Sequence, residues 1–351
     1  MSNPYLNRPD ASFWKTAVAL KEWTEVMPIS KPLSLIKRDM KISAAGSCFA
    51  QKVANYIKSN EAIEFLELES VSPGQPIFSA RYGNIYTTRQ LLELIQEALS
   101  GDVDESCAVQ REDGQFVDVF RPFVEEAGFD TSTAVIKARQ DHLLNVIKMF
   151  EESDVFVFTL GLTESWFSKD TGRTFPVCPG IFTNEVEFEF VNYGFNDVIN
   201  DMRKCVELIT AINTKINIIV TVSPVPLTAT YTDDHVMSAT SYSKSVLRAV
   251  CGEITRSFNH VKYFPSFEIV VNPFRDGTAF EDNKRSVNAE IVDIVMRTFE
   301  NGFLEKDIHT QSLKKNVTFD IHSIIKSDNS QEEIENEPVC DDVNIEKSVG
   351  F

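Results

Sequence analysis

Lys41-Ile42-Ser43-Ala44-Ala45-Gly46-Ser47-Cys48-Phe49-Ala50-Gln51 changes character at its single glycine. Residues 41–45 read as a short strand, small or β-branched after Lys41. From Cys48 to Lys58, apolar and polar residues recur at helical spacing. The same alternation runs outward through the chain. Further strand candidates are residues 63–68, 154–160, 216–222 and 261–267. Helical stretches fall at 88–99, 133–150, 195–212, 242–259 and 287–299. Strands separated by helices of this length predict an α/β protein with a mainly parallel five-stranded sheet covered on both faces. Ligands of such sheets bind beyond the carboxyl ends of the strands, so chemistry is sought in the loops that follow each one.

The 351 residues suffice for one large domain or two small ones. With 43% hydrophobic and 25% charged residues, the composition is that of a folded globular chain. The formal net charge of −18 argues against general nucleic-acid binding and against docking on an anionic membrane. No apolar run reaches the roughly 18 residues that span a bilayer. The N-terminus has no basic stretch followed by an apolar one, so no signal peptide is expected. Six scattered cysteines without C-x-x-C spacing read as reduced thiols in a cytoplasm. Residues 1–302 read as one domain. Residues 303–351 carry eleven acidic and five basic residues and few large apolar ones, and read as an acidic, largely disordered tail.

The first loop, Ala45-Gly46-Ser47-Cys48, sets a small nucleophile at a helix start, where backbone N–H groups can hold an oxyanion and the dipole favours a thiolate. The alternative is a capping serine beside a buried cysteine. The third loop, Thr159-Leu160-Gly161-Leu162-Thr163-Glu164-Ser165-Trp166, offers a carboxylate and a stacking surface, or else a helix cap and a core tryptophan. The fourth runs from Ser223 to His235, whose imidazole is a candidate general base. Asp233 and Asp234 beside it lack a convincing metal-ligand geometry, and no metal or other cofactor is expected. Asp282-Asn283-Lys284-Arg285 precedes the last helix. Arg81-Tyr82-Gly83-Asn84 holds a glycine and an amide that can donate hydrogen bonds, followed by a capping Thr88. His142 lies within a helix and faces either the site or solvent. No phosphate-binding glycine motif is present.

Gly46-Ser47-Cys48-Phe49-Ala50 is the name-giving motif of the GSCFA family, and the chain resembles that family over roughly residues 3–300. Asn3-Pro4-Tyr5, Tyr82-Gly83-Asn84-Ile85-Tyr86-Thr87, the block from Thr159 to Trp166, Ser223-Pro224-Val225-Pro226, Tyr242-Ser243-Lys244-Ser245 and Tyr263-Phe264-Pro265-Ser266-Phe267-Glu268 follow in family order. The resemblance implies the SGNH, or GDSL-like, hydrolase superfamily and its flavodoxin-like three-layer α/β/α sandwich. It also implies acyl-ester hydrolysis or O-acyl transfer on a glycan or another acylated small substrate. Residue type puts the nucleophile at Ser47; counting from the glycine puts it at Cys48. Gly83, Asn84 and Thr163 would serve the oxyanion, Thr163 standing where the superfamily has an amide. Glu164 would orient the base or meet a sugar hydroxyl, and Trp166 would stack on a sugar ring. The superfamily's Asp-x-x-His reads Asp282-Asn283-Lys284-Arg285 here. Arginine cannot serve as a base at neutral pH, so either His235 takes that role from the fourth loop or Arg285 binds an anionic substrate group, with Asp282 a second candidate for substrate binding. The alternative is a sugar- or carrier-binding module without catalysis, with an acidic interaction tail.

Overall fold

The computed structural model describes residues 3–70, 77–273 and 279–306, together with residues 308 and 345. The acidic tail expected from residue 303 lies almost wholly outside the described residues. The described chain divides into two compact units, one of residues 39–263 and one that joins the residues up to 38 with those from 264 to 308.

The larger unit is built on the predicted sheet. Its strands are β1 (Lys41–Gly46), β2 (Glu64–Phe65), β3 (Val155–Leu160), β4 (Asn217–Val222) and β5 (Val261–Phe264), in the spatial order β5-β4-β3-β1-β2. β1 pairs in parallel with β2 and β3, and β3 with β4. β3 reads Val-Phe-Val-Phe-Thr-Leu and is buried at every residue; β4 is buried at all but its first. Branched and aromatic side chains on both faces are what a parallel sheet between two helical layers requires. β1 carries small residues instead, so the segments around its carboxyl end can approach closely. The strand order reverses between β1 and β3, and the crevice at that reversal is where open sheets of this kind take ligands.

β2 and β5 are shorter than the sequence suggests. Leu68 N turns to Ser79 O, so the edge strand leaves β1. Pro265 has no N–H for a ladder, and Ser266–Val270 winds into a short helix.

Helices α1 (Cys48–Ser59), α2 (Thr88–Ser100), α3 (Ser132–Glu152), α4 (Phe195–Ile212) and α5 (Val236–Ser257) flank the sheet. Thr87 caps α2 through Gln90 N, one residue before the Thr88 expected there, and Thr131 caps α3 through Ala134 N. α5 starts six residues earlier than its apolar stripe indicates, because His235 Nδ1 accepts Met237 N at 3.2 Å and caps it.

The third loop does not become a helix. Glu164–Ser168, Thr174–Phe175 and Phe188–Asn192 form a small antiparallel sheet, with Trp166 opposite both Phe175 and Phe190. A hairpin of Ala108–Gln110 and Phe116–Asp118 packs nearby through a buried ion network. Arg139, 1% exposed, bonds Glu97 and Asp118, and Arg121 also bonds Asp118. Burial opposes the charge on Asp118, but the two guanidinium groups outweigh it and hold its carboxyl well below the usual range. Arg173 bonds Glu97 and lies 3.7 Å over the Phe120 ring.

In the smaller unit, the helix Ala289–Phe303 takes the N-terminal segment against its end. Leu33 N bonds Gly302 O at 2.7 Å, and the Phe299 and Phe303 rings stack. Among the described residues no helix is long and apolar enough to cross a membrane.

Candidate active site

Ser47 stands at the turn between β1 and α1, in the N-cap position with extended backbone (φ −69°, ψ 177°). The turn needs glycine at its first residue. Gly46 has φ +139°, and a Cβ there would lie 2.3 Å from Thr159 O on β3. Serine at an N-cap ordinarily accepts a backbone N–H of the first turn. Ser47 makes no such side-chain bond; Ala50 N goes to its carbonyl instead, at 2.7 Å. Its Oγ is buried and has no hydrogen-bond partner. The neighbouring Thr159 hydroxyl, opposite Gly46 in the ladder, is also buried without one. A buried unpaired hydroxyl costs about 1–3 kcal/mol, so the carboxyl edge between β1 and β3 is kept polar at some expense.

Two loops close over this serine. Gly161 lies against it, and a Cβ on Gly161 would come within 3.0 Å of Ser47 Cβ and 3.1 Å of Tyr86 O. Gly161 N and Leu162 N both donate to Tyr86 O, at 3.0 and 3.1 Å, and Ile85 N donates to Gly46 O at 2.8 Å. Gln90 braces the 83–86 loop from α2: its Oε1 accepts Tyr86 N at 2.9 Å and its Nε2 donates to Asn84 O at 2.8 Å. Gln51, one helical turn beyond Ser47, donates from Nε2 to Asn84 Oδ1 at 3.1 Å. This bond fixes the Oδ1 end of the Asn84 amide and with it the orientation of the group. Gly83 has φ +71°, which only glycine adopts without strain, and is half-buried. These bonds join the first, second and third loops into one rigid surround for Ser47.

The structure therefore ties Asn84, next in chain to Gly83, to the Ser47 turn through Gln51 and Gln90, while Thr163 follows Gly161 in the third loop. Cys48 is buried as the first residue of α1, and one residue of helix turns its side chain about 100° from that of Ser47. It is a thiol, as are the four other described cysteines. The Thr163 hydroxyl directs its proton to Asn192 Oδ1 at 2.7 Å, while Thr163 N donates to Ser243 Oγ at 3.0 Å. Glu164 holds the fourth loop: Oε1 accepts Thr230 Oγ1 at 2.6 Å and Oε2 accepts Tyr231 N at 3.0 Å. Trp166 is half-buried, in edge contact with Phe188, Phe190 and the exposed Tyr231, whose ring centre is 4.7 Å away. His235 is exposed, and its Nδ1 is the acceptor that caps α5, so the neutral ring carries its proton on Nε2. Asp282 and Arg285 belong to the smaller unit. There Asn283 Oδ1 accepts Arg285 N and Ser286 N and shapes a tight turn with Asp282 exposed.

His142 faces neither solvent nor Ser47. It is wholly buried, with Nδ1 2.6 Å from Glu69 Oε2, and its Nε2 is without a partner. Burial, reinforced by nearby Arg121, pushes its pKa down to about 4, against the opposing pull of Glu69. The ring is neutral at pH 7 and donates from Nδ1. Among the described residues no group of three His, Cys, Asp or Glu side chains is placed to hold a metal ion.

Sequence reasoning missed Gln51, Gln90, Asn192, Ser243 and Lys244. Gln51 carried a signal, since it lies four residues after Ser47 and so on the same helical face, and Ser243 and Lys244 stood in a block quoted for the family resemblance without a role. The others reach the site from separate elements.

Three solved structures are similar to the chain at a distance. A carbohydrate esterase family 3 protein from Talaromyces cellulolyticus shares 10% identity over 79% of this chain and 99% of its own, with a TM-score of 0.38. The Clostridium thermocellum family 3 carbohydrate esterase shares 8% over 80% and 99%, with a TM-score of 0.35. An acetyl esterase variant with an acetate ion shares 11% over 80% and 100%, with a TM-score of 0.36. A search of curated proteins gives no match. Residues 41–299 match the GSCFA family, a span that takes in the Ser47 turn and both loops that close over it. The chain belongs to the GSCFA family.

Proposed function

We propose that the chain is an acyl-ester hydrolase of the SGNH type, with Ser47 as nucleophile. One observation carries the reading. A serine at a strand-to-helix turn, at the strand-order reversal of a parallel sheet, keeps its hydroxyl buried and uncommitted where a capping bond was available. Ser47 Oγ would attack the acyl carbon and release the alcohol. The resulting acyl-serine would pass its acyl group to water, or to a second hydroxyl in O-acyl transfer. The Gly83 N–H and the Asn84 amide, turned by Gln51, would stabilise the oxyanion. Thr163 would act there through Asn192, whose Oδ1 it fixes. His235 is the proton acceptor in this reading. To serve, it gives up the α5 cap, a change worth about 1 kcal/mol at an exposed helix start. The substrate is an acylated glycan or another acylated small molecule. Trp166 would offer a stacking face, and Glu164 would hold the loop beside it.

The His235 cap, together with arginine in place of the last-block histidine, favours a second reading, in which the site binds an acylated sugar or carrier without turning it over. Intact-mass labelling separates the two. Purified protein is treated with a fluorophosphonate or with iodoacetamide, beside Ser47→Ala and Cys48→Ala variants. The first reading expects rapid single-site fluorophosphonate labelling that Ser47→Ala abolishes. Fast alkylation lost only in Cys48→Ala would move the nucleophile to the thiol. Labelling no faster than in unfolded protein would leave the binding module.

A further inference from the structure

The loop that lies against Ser47 is gripped from the far side by α5. Gly161 O accepts Lys244 Nζ at 2.6 Å, and Thr163 N donates to Ser243 Oγ at 3.0 Å. Adjacent residues of one helix thus hold two points of residues 161–163, while Tyr86 O takes Gly161 N and Leu162 N from the other side. Lys244 is 4% exposed. Taking an ammonium out of water is costly, and an uncharged side chain of similar length would fill the same space without that cost. The peptide unit whose oxygen Lys244 holds is the one whose N–H, on Leu162, bonds Tyr86 O. Drawing electron density to that oxygen strengthens the N–H as a donor, so the lysine tightens the junction between the two loops that enclose Ser47.

We infer that Lys244 is a positioning residue of this site. Its ammonium fixes the 161–163 loop against Ser47 through the Gly161 carbonyl. It also brings a positive charge to the carboxyl edge of the sheet, where negative charge develops when Ser47 attacks an acyl carbon. The inference rests on the Ser47 reading and adds to it a residue on a separate helix.

Two variants of the full chain divide the roles. Lys244→Gln keeps a donor and removes the charge; Lys244→Met removes both at nearly the same length. Each is compared with the unaltered protein and Ser47→Ala for the second-order rate of fluorophosphonate labelling, for kcat and KM on p-nitrophenyl acetate, and for thermal midpoint. Lys244→Met is expected to lower labelling rate and kcat about 100-fold with KM held within about threefold, and Lys244→Gln to lower them about tenfold. A lysine that served stability alone would shift the midpoint and spare kcat per folded molecule. A folded Lys244→Met that labels and turns over within threefold of the unaltered protein overturns the inference. If Lys244→Met fails to fold, Lys244→Gln decides by the same threshold. Labelling that Ser47→Ala does not abolish overturns the Ser47 reading and the inference with it, whereas unaffected Lys244 variants overturn the inference alone.

Discussion

Replacing Gly161 by alanine tests whether the third loop holds Ser47 in place. The added methyl would meet Ser47 Cβ at 3.0 Å, Tyr86 O at 3.1 Å and Tyr86 Cα at 3.2 Å. Carbon contacts are best at about 3.5–4.0 Å, so something must move by several tenths of an ångström. Neither neighbour moves easily. Tyr86 O is fixed by Gly161 N and Leu162 N, and Tyr86 N by Gln90, while Ser47 is anchored by its own N–H on Thr159 O at 3.1 Å. Overpacking of this kind costs about 1–3 kcal/mol, which for a unit of this size lowers the thermal midpoint by roughly 3–10 °C. The larger effect falls on reactivity, because displacing a reacting group by about 1 Å costs about 100-fold in rate. Fluorophosphonate labelling of Gly161→Ala is therefore expected to slow by about 10- to 100-fold, with the midpoint only modestly lowered. Gly101→Ala is the control. That glycine ends α2 at φ +71° with nothing within 4 Å of the added carbon, so it costs about 1 kcal/mol and leaves labelling unchanged. A Gly161→Ala protein with the labelling rate and midpoint of the unaltered chain would refute the claim that this loop confines Ser47.

Gly46→Ala is far more damaging, since the methyl would sit 2.3 Å from a backbone oxygen at a φ of +139°; no soluble folded protein is expected on expression, and a cooperative melt near that of the unaltered chain would contradict the turn described. Arg139→Met strips one partner from both Glu97 and Asp118 in the buried network and should cost about 3–5 kcal/mol by urea denaturation. A loss below about 1 kcal/mol would mean that Arg121 and Arg173 suffice for the two carboxylates. His142, buried and neutral, has its pKa lowered from 6.5 to about 4, so the unfolded chain takes up a proton between these values while the folded chain does not. This contribution to stability is intact above pH 6.5 and falls by about 3 kcal/mol as the pH drops to 4. His142→Gln should flatten that part of the stability profile measured by denaturant titration, and an unchanged slope would show that the ring titrates normally.

The sheet and its helices were legible because period and composition report burial directly. Val155 to Leu160 has the branched and aromatic residues of a strand covered on both faces, and Thr88 to Ser100 carries an apolar stripe on one side of a helix. Ends depended on single hydrogen bonds that composition does not register. His235 caps α5 with a ring nitrogen, which moves the helix start six residues and places the expected loop histidine at the N-cap. Residues 164–168 pair with two strands from beyond Ser168, so their strand character comes from partners and not from local preference.

The sequence by itself determined the α/β class, the order of its elements and the glycine turn that sets Ser47 at the head of α1. These follow from local sterics and from side chains that must leave water. Only the tertiary structure decided that the Ser47 hydroxyl is buried and declines its cap, and that Gly161 presses against it. The structure also set Gln90 and Gln51 to brace Asn84 and brought a lysine from α5 to the same loop. A polar side chain chooses its partner by distance in space, and the residues that meet at this crevice come from separate elements that only the folded chain brings together.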